Sequence, residues 1–109
     1  SGGYDGAIQL LRQQQNLTAI FCGDDIAAVG VLRAVRDFGL RVPEDISVIS
    51  IDDIETSQYL SPMLTTVHVP MEEMGTVAAK ILIGDIPFPC KSSYPSIWPN
   101  GRAARRPER

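Results

Sequence analysis

Four aspartates stand in two adjacent pairs, Asp24-Asp25 and Asp52-Asp53, and each pair closes a short apolar run. Ala19-Ile20-Phe21-Cys22 leads to the first pair, and Ile46-Ser47-Val48-Ile49-Ser50-Ile51 to the second. Corresponding members lie 28 residues apart, about the length of one strand–helix–strand unit. If the two runs are neighbouring parallel strands, all four carboxylates gather along one edge of a sheet. A carboxylate there can accept hydrogen bonds from two adjacent hydroxyls, as sugars and nucleosides offer. Paired acids could also serve acid/base chemistry or hold magnesium, but nothing else in the chain supports either. There is no Gly-rich phosphate loop and no Ser/His/Asp or Cys/His arrangement of recognisable spacing. The one histidine, His68, falls in a predicted strand without an evident partner and reads as a structural or edge residue.

The competing reading makes all four aspartates helix caps and turn formers, roles in which Asp is favoured. Asp25 is placed to cap the helix that follows it, because its carboxylate can accept from free backbone N–H groups at the positive end of the helix dipole. Asp53 is expected to shape the backbone in the same way. Asp24 and Asp52 would instead project from the carboxyl ends of the strands, where open α/β sheets bind their ligands.

The elements that position these groups can be read from periodicity. Gly6 to Gln15 carries Ile8, Leu10 and Leu11 among polar residues and predicts a short amphipathic helix ended by Asn16. Thr18 to Cys22 predicts a buried strand, and Gly23 lets the chain turn tightly after it. The helix from Asp25 to about Phe38 places Ala28, Val31, Leu32, Val35 and Phe38 on one face, and Gly39 stops it. After the connection Leu40 to Asp45, the near-continuous apolar run from Ile46 predicts a parallel strand covered on both faces. Ile54 to Pro62 reads as a loop with room for a helical turn, in a position where loops often carry function. Thr65 to Val69 predicts a third strand closed by Pro70, and Met71 to Ile83 a helix with Met74, Val77, Ala78, Ile81 and Leu82 on one face. Gly84 ends that helix. These elements describe part of a doubly wound parallel α/β sheet.

The chain has 109 residues, 44% hydrophobic and 21% charged, which suits one globular core. No apolar run approaches the roughly 18–20 residues that cross a bilayer, and the N-terminus has no signal-peptide character. The expected localisation is therefore cytoplasmic, with no membrane partner. Two cysteines, Cys22 in a strand and Cys90 near prolines, form neither a metal-ligand spacing nor a disulfide framework, and no metal or cofactor is expected. Cys22 reads as a small buried hydrophobe.

Charge is uneven along the chain. Pro87 to Arg109 holds five basic residues against one acid, whereas residues 1–86 hold five against twelve. An acidic body does not suit binding to a phosphate backbone. Five of the eight prolines also fall between Pro87 and Pro107, so an irregular Pro/Arg-rich tail (87–109) is expected after a folded part (1–86). Nucleic-acid binding by that tail is a weak option, and an enzyme of the α/β class is a further rival that the absence of a catalytic motif disfavours.

Two stretches carry a resemblance. TAIFCGDDIAAVGVLRAVRDFGLRVPEDISVISIDD, followed by YLSPMLTTVHVPMEEMGTVAAKILI, closely resembles the late part of the effector-binding domain of LacI/GalR-family transcriptional repressors. The resemblance covers about Gly3 to Ile86 and rests on several linked motifs in the right order. It implies a two-lobed, periplasmic-binding-protein-like domain with a sugar or nucleoside effector between the lobes. Carried over residue by residue, it makes Asp52 a recurrent effector contact, lets Asp24 line the same pocket, and leaves Asp25 as the structural helix-start acid. It also implies a homodimer formed through the helix holding Val29 and the loop holding Leu60. The helix from Met71 would then stand away from the strands of Asp24 and Asp52.

Operator DNA would be bound only through a helix-turn-helix that is not in this chain. A fragment of a periplasmic sugar-binding protein of a transporter is the alternative with the same fold. Three departures accompany the resemblance. Ser50-Ile51 replaces the family's usual Gly-Tyr before the effector Asp, the family's helix-turn-helix, hinge and much of both lobes are missing, and the character changes after about Pro89. The last suggests a truncated or frame-shifted product, which reading the coding DNA in the other two frames would check. A partial domain with exposed sheet edges is also expected to fold poorly alone.

Overall fold

A computed structural model describes residues 2–85, so the readings made for the 87–109 tail, Cys90 included, lie outside the described residues. The elements run α1 (Gly2–Gln13), β1 (Ala19–Phe21), α2 (Asp25–Asp37), β2 (Ser47–Asp52), a 3-10 turn (Glu55–Tyr59), β3 (Thr65–His68) and α3 (Met71–Leu82). The three strands form one parallel sheet in the order β1-β2-β3. Its register pairs Phe21 with Ile49 on one side of β2, and Ile49 with Thr65 through Asp52 with His68 on the other.

Strand alternation decides what each face meets. Ile20 and Cys22, Val48 and Ser50, and Thr66 face inward and are buried. Against them lie α1 and α2, which contribute Ala7, Leu11, Ala28, Val31, Leu32, Ala34 and Val35 to a single hydrophobic cluster with Leu64. The opposite face of the sheet is left largely open by the described residues: Phe21 is 62% exposed, and Ile49, Ile51 and Val67 are only half-buried. The expectation of a sheet covered on both faces is therefore met on one face alone among the described residues.

Helix α1 starts earlier than its periodicity suggests, at Gly2 rather than Gly6, and ends at Gln13. Glycine normally costs a helix about 1 kcal/mol against Ala. Here tertiary packing overrides that preference, because α1 crosses α2 so closely that a Cβ on Gly3 would run into the backbone of Ala27. Phe38, assigned by period to the buried face of α2, is the C-cap instead and is 44% exposed. Gly39 follows with φ +85°, the left-handed stop its position predicts. The connection to β2 is pinned by Arg41, whose backbone N–H, Nε and Nη2 all donate to the Asp45 carboxylate at 2.8–3.2 Å.

Helix α3 differs from the other two. None of its residues is buried, and of the face predicted from Met74 to Leu82 only Val77 and Ile81 are partly covered. It stands apart from the α1/α2/sheet core, as the resemblance implies, and no helix of the described residues is long and apolar enough to cross a membrane.

Candidate functional site

The first aspartate pair divides its labour in the reverse of the expected order. Asp24, not Asp25, is the N-cap of α2: its backbone is extended (φ −156°, ψ 167°) and its Oδ1 accepts the Ala27 N–H at 2.6 Å. Asp25 is the first helical residue and is completely buried. In a doublet either residue satisfies the capping preference, and what separates them is the direction the chain takes after Gly23. The turn leaves Asp24 at the surface and points Asp25 inward, under the sheet's carboxyl edge.

There the Asp25 carboxylate collects three donors. Oδ1 accepts the hydroxyls of Ser50 on β2 (2.5 Å) and Thr66 on β3 (2.6 Å), and Oδ2 accepts the Ile54 N–H at 2.9 Å. A buried carboxylate without a cation is tolerable only when its lone pairs are satisfied in this way. The network continues outward. Thr66 Oγ1 also accepts the Asp53 N–H at 3.2 Å, and the Asp53 carboxylate meets His68 Nδ1 at 2.9 Å and the Ser57 hydroxyl at 3.5 Å. His68 is thus an edge residue, at the end of β3, but it does have a partner.

The second pair is conformationally unusual. Asp52 has φ +129° and Asp53 φ +59°, a left-handed region that L residues with a Cβ enter at a cost on the order of 1–2 kcal/mol each. This reversal at the end of β2 turns the Asp53 side chain onto His68. Asp52 is half-buried, and its carboxylate has no hydrogen-bond partner among the described residues.

Asp24 and Asp52 each stand three residues beyond the Phe21–Ile49 rung of adjacent parallel strands. The sheet therefore brings them to the same level of its carboxyl edge, as their spacing predicts. Asp24 has committed Oδ1 to the cap, and Asp52 has both oxygens free among the described residues. A small cavity bounded by Asp53, Ile54, Ser57, Met63 and Leu64 lies just past this edge and includes neither of them. Among the described residues no group of three or more His, Cys, Asp or Glu side chains could hold a metal ion.

Val29 and Leu60 lie together on a different surface, a shallow groove shared with Arg33, Arg36 and Tyr59. Val29 is 43% exposed, Ile26 beside it on α2 is 70% exposed and Tyr59 76%. The polar rim is ordered: Tyr4 donates its hydroxyl to Asp37 at 3.0 Å, and that contact raises the Tyr4 pKa. Burial, with Asp24 and Asp25 nearby, pushes the Cys22 thiol up to about 11.

Sequence reasoning missed the buried hydroxyls. Ser50 and Thr66 stand two residues after the buried Val48 and Leu64 and so share their inward parity, and that parity is the signal that could have found them.

With this geometry in place, comparison with known proteins is decisive about kinship. The family model for the periplasmic binding protein-like domain matches residues 2–97. The chain belongs to that family. Its relatives lie in the LacI/GalR branch. The HTH-type transcriptional repressor PurR of Photorhabdus laumondii is 48% identical over 84 residues, covering 77% of this chain and 25% of the relative. A LacI-family transcriptional regulatory protein from Corynebacterium glutamicum superposes with a TM-score of 0.81 at 36% identity, over 96% of this chain and 42% of that one. A LacI-family regulator from Arthrobacter sp. FB24, solved in complex with lactose, gives a TM-score of 0.70 at 36% identity, over 75% of this chain and 31% of the other. The chain spans about a quarter of the length of the curated relatives it matches. It is a LacI/GalR-type effector-binding domain in part, and the relatives do not favour the transporter alternative.

Proposed function

We propose that this chain supplies one wall of the effector site of a LacI-type transcriptional repressor, with Asp52 as the principal contact and Asp24 as a second. The observation that carries this reading is the free Asp52 carboxylate at the same level of the carboxyl edge as Asp24, on an adjacent parallel strand. Two adjacent hydroxyls of a sugar or nucleoside would donate to Asp52, and the free oxygen of Asp24 would take a third. The lactose held by the Arthrobacter relative supports the sugar class. The protein acts in the cytoplasm on operator DNA through a helix-turn-helix outside this chain, and no catalytic step is part of its action.

The surface made by the exposed Ile26, Val29 and Tyr59 with the half-buried Leu60 forms the homodimer contact, since an apolar groove with a polar rim is the anatomy of an interface core. Calorimetric titration with a panel of mono- and disaccharides and nucleosides tests the effector reading. At least one should bind, and Asp52→Asn should weaken it at least about tenfold by removing the charged acceptor. Binding unchanged in Asp52→Asn overturns the assignment.

A further inference from the structure

The two left-handed residues at the end of β2 need something to hold them, because Asp enters that region more readily than most residues but still carries the Cβ penalty that Gly escapes. Asp52 has φ +129° and Asp53 φ +59°, and the free carboxylate of the first depends on the path of both. Three backbone or hydroxyl groups around this reversal converge on one buried side chain. The Ile54 N–H immediately after it donates to Asp25 Oδ2 at 2.9 Å. Ser50, two residues before Asp52, donates its hydroxyl to Asp25 Oδ1. Thr66 donates to the same oxygen at 2.6 Å while accepting the Asp53 N–H at 3.2 Å.

We infer that Asp25 is the positioning residue of the effector site: its buried carboxylate clamps both sides of the Asp52-Asp53 reversal and thereby fixes where the Asp52 carboxylate points. Three features single it out from an ordinary buried polar group. Its partners lie 25, 29 and 41 residues away in sequence, on β2, on the turn after it and on β3. Its donors bracket the left-handed pair rather than a regular part of the sheet. Its two oxygens take three donors in a buried site where water cannot substitute for them. Because α2 begins at Asp25, the same clamp ties the helix bearing Ile26 and Val29 directly to the strand end bearing Asp52. The inference rests on the effector reading of Asp52 for its functional meaning, but the clamp itself is testable without a ligand.

The experiment is residue-resolved amide exchange with backbone coupling constants on the full chain, comparing Asp25→Ala, Asp25→Asn and Thr66→Val with the parent. Asp25→Ala should speed exchange at Ile54 and Asp53 by about tenfold or more relative to core amides such as Val35 and Val48. The couplings of Asp52 and Asp53 should move toward those of an ordinary extended chain. Asp25→Asn, which keeps an acceptor oxygen and the same shape, should restore part of the protection. Thr66→Val removes the acceptor of the Asp53 N–H together with one donor to Asp25 Oδ1, but leaves the Ile54 bond to Oδ2 in place, so it should release Asp53 while leaving Ile54 protected, and it serves where Asp25→Ala does not fold. A uniform rise across the core, or unchanged Asp53 exchange in Thr66→Val, overturns the clamp. Titration of the same variants with lactose and with adenosine separates the two claims: a parent that binds neither counts against the effector reading, while the exchange pattern still decides the clamp.

Discussion

Helices α2 and α3 have similar amphipathic patterns and opposite fates. Both place apolar residues three and four apart, and both carry acids in the first turn and a base in the last. Yet α2 buries six residues and α3 none. Periodicity states that a face is apolar, and it does not state what covers that face. Helix α2 is covered because the strands flanking it in sequence and α1 all lie against it. The strand that precedes α3 has its inward face already filled from α2's side.

The contrast is sharpest for one substitution made in both places. Leu32→Ala, at a position 8% exposed, should cost about 2–5 kcal/mol through lost burial and a residual cavity. Leu82→Ala, at a position 87% exposed, should stay within about 0.5 kcal/mol. Urea unfolding of the two variants checks this, and comparable losses would mean that α3 is packed in solution against something outside the described residues.

A second difference is set by pH. Cys22, behind α2, has its thiol pushed up to about 11 by burial and the neighbouring acids, from an ordinary value of 9. The folded chain therefore holds that proton over a range where the unfolded chain releases it. Stability contributed by the neutral thiol is fully present below about pH 9 and is lost as pH rises toward 11. Its full extent is about 2–3 kcal/mol, and Cys22→Ala should flatten the loss in a pH series of melts. On the accessible side of the same linkage, alkylation of Cys22 at pH 8 in a Cys90→Ser background should be much slower in the folded chain than in urea.

Glycine gives the comparison opposite signs. Gly3 lies where α1 meets the Ala27 backbone, so Gly3→Ala should destabilise by about 1–3 kcal/mol through overpacking. Gly75 in α3 has open space where a Cβ would go, so Gly75→Ala should stabilise by up to about 1 kcal/mol through helix propensity. Thermal melts of the two variants moving in the same direction would break the distinction between a packed and an unpacked helix.

How far the sequence could be read follows the same division. The strands, the α2 and α3 periods and the glycine stops were legible because each rests on local spacing. The start of α1 was not, because its glycines argue against a helix until the contact with Ala27 is known. The carboxyl-edge location of Asp24 and Asp52 was legible from one strand–helix–strand spacing. The partners of Asp25 were not: Ser50 registered only as a departure from Gly, and Thr66 only as a β-former. The Asp53–His68 contact depends on a left-handed turn at an aspartate, a conformation that Asp tolerates but that its presence alone does not specify. The expectations for the stretch after Ile86 concern residues outside those described.

The smallest expected effect separates the two duties that fall on Asp24. As the N-cap of α2 it satisfies the Ala27 N–H with Oδ1, and Asp24→Ala should cost about 1 kcal/mol for the lost cap. Serine caps as well as aspartate, so Asp24→Ser should leave stability within about 0.5 kcal/mol of the parent. Serine brings neither the charge nor the second oxygen, however, so a ligand hydroxyl that relies on Oδ2 would lose its acceptor. In titrations with whichever sugar or nucleoside the parent binds, Asp24→Ser should then weaken binding by about three- to tenfold with no change in the melt. Equal affinity would confine Asp24 to the cap and leave Asp52, at the end of the neighbouring strand, as the single carboxylate of this wall that reaches the effector.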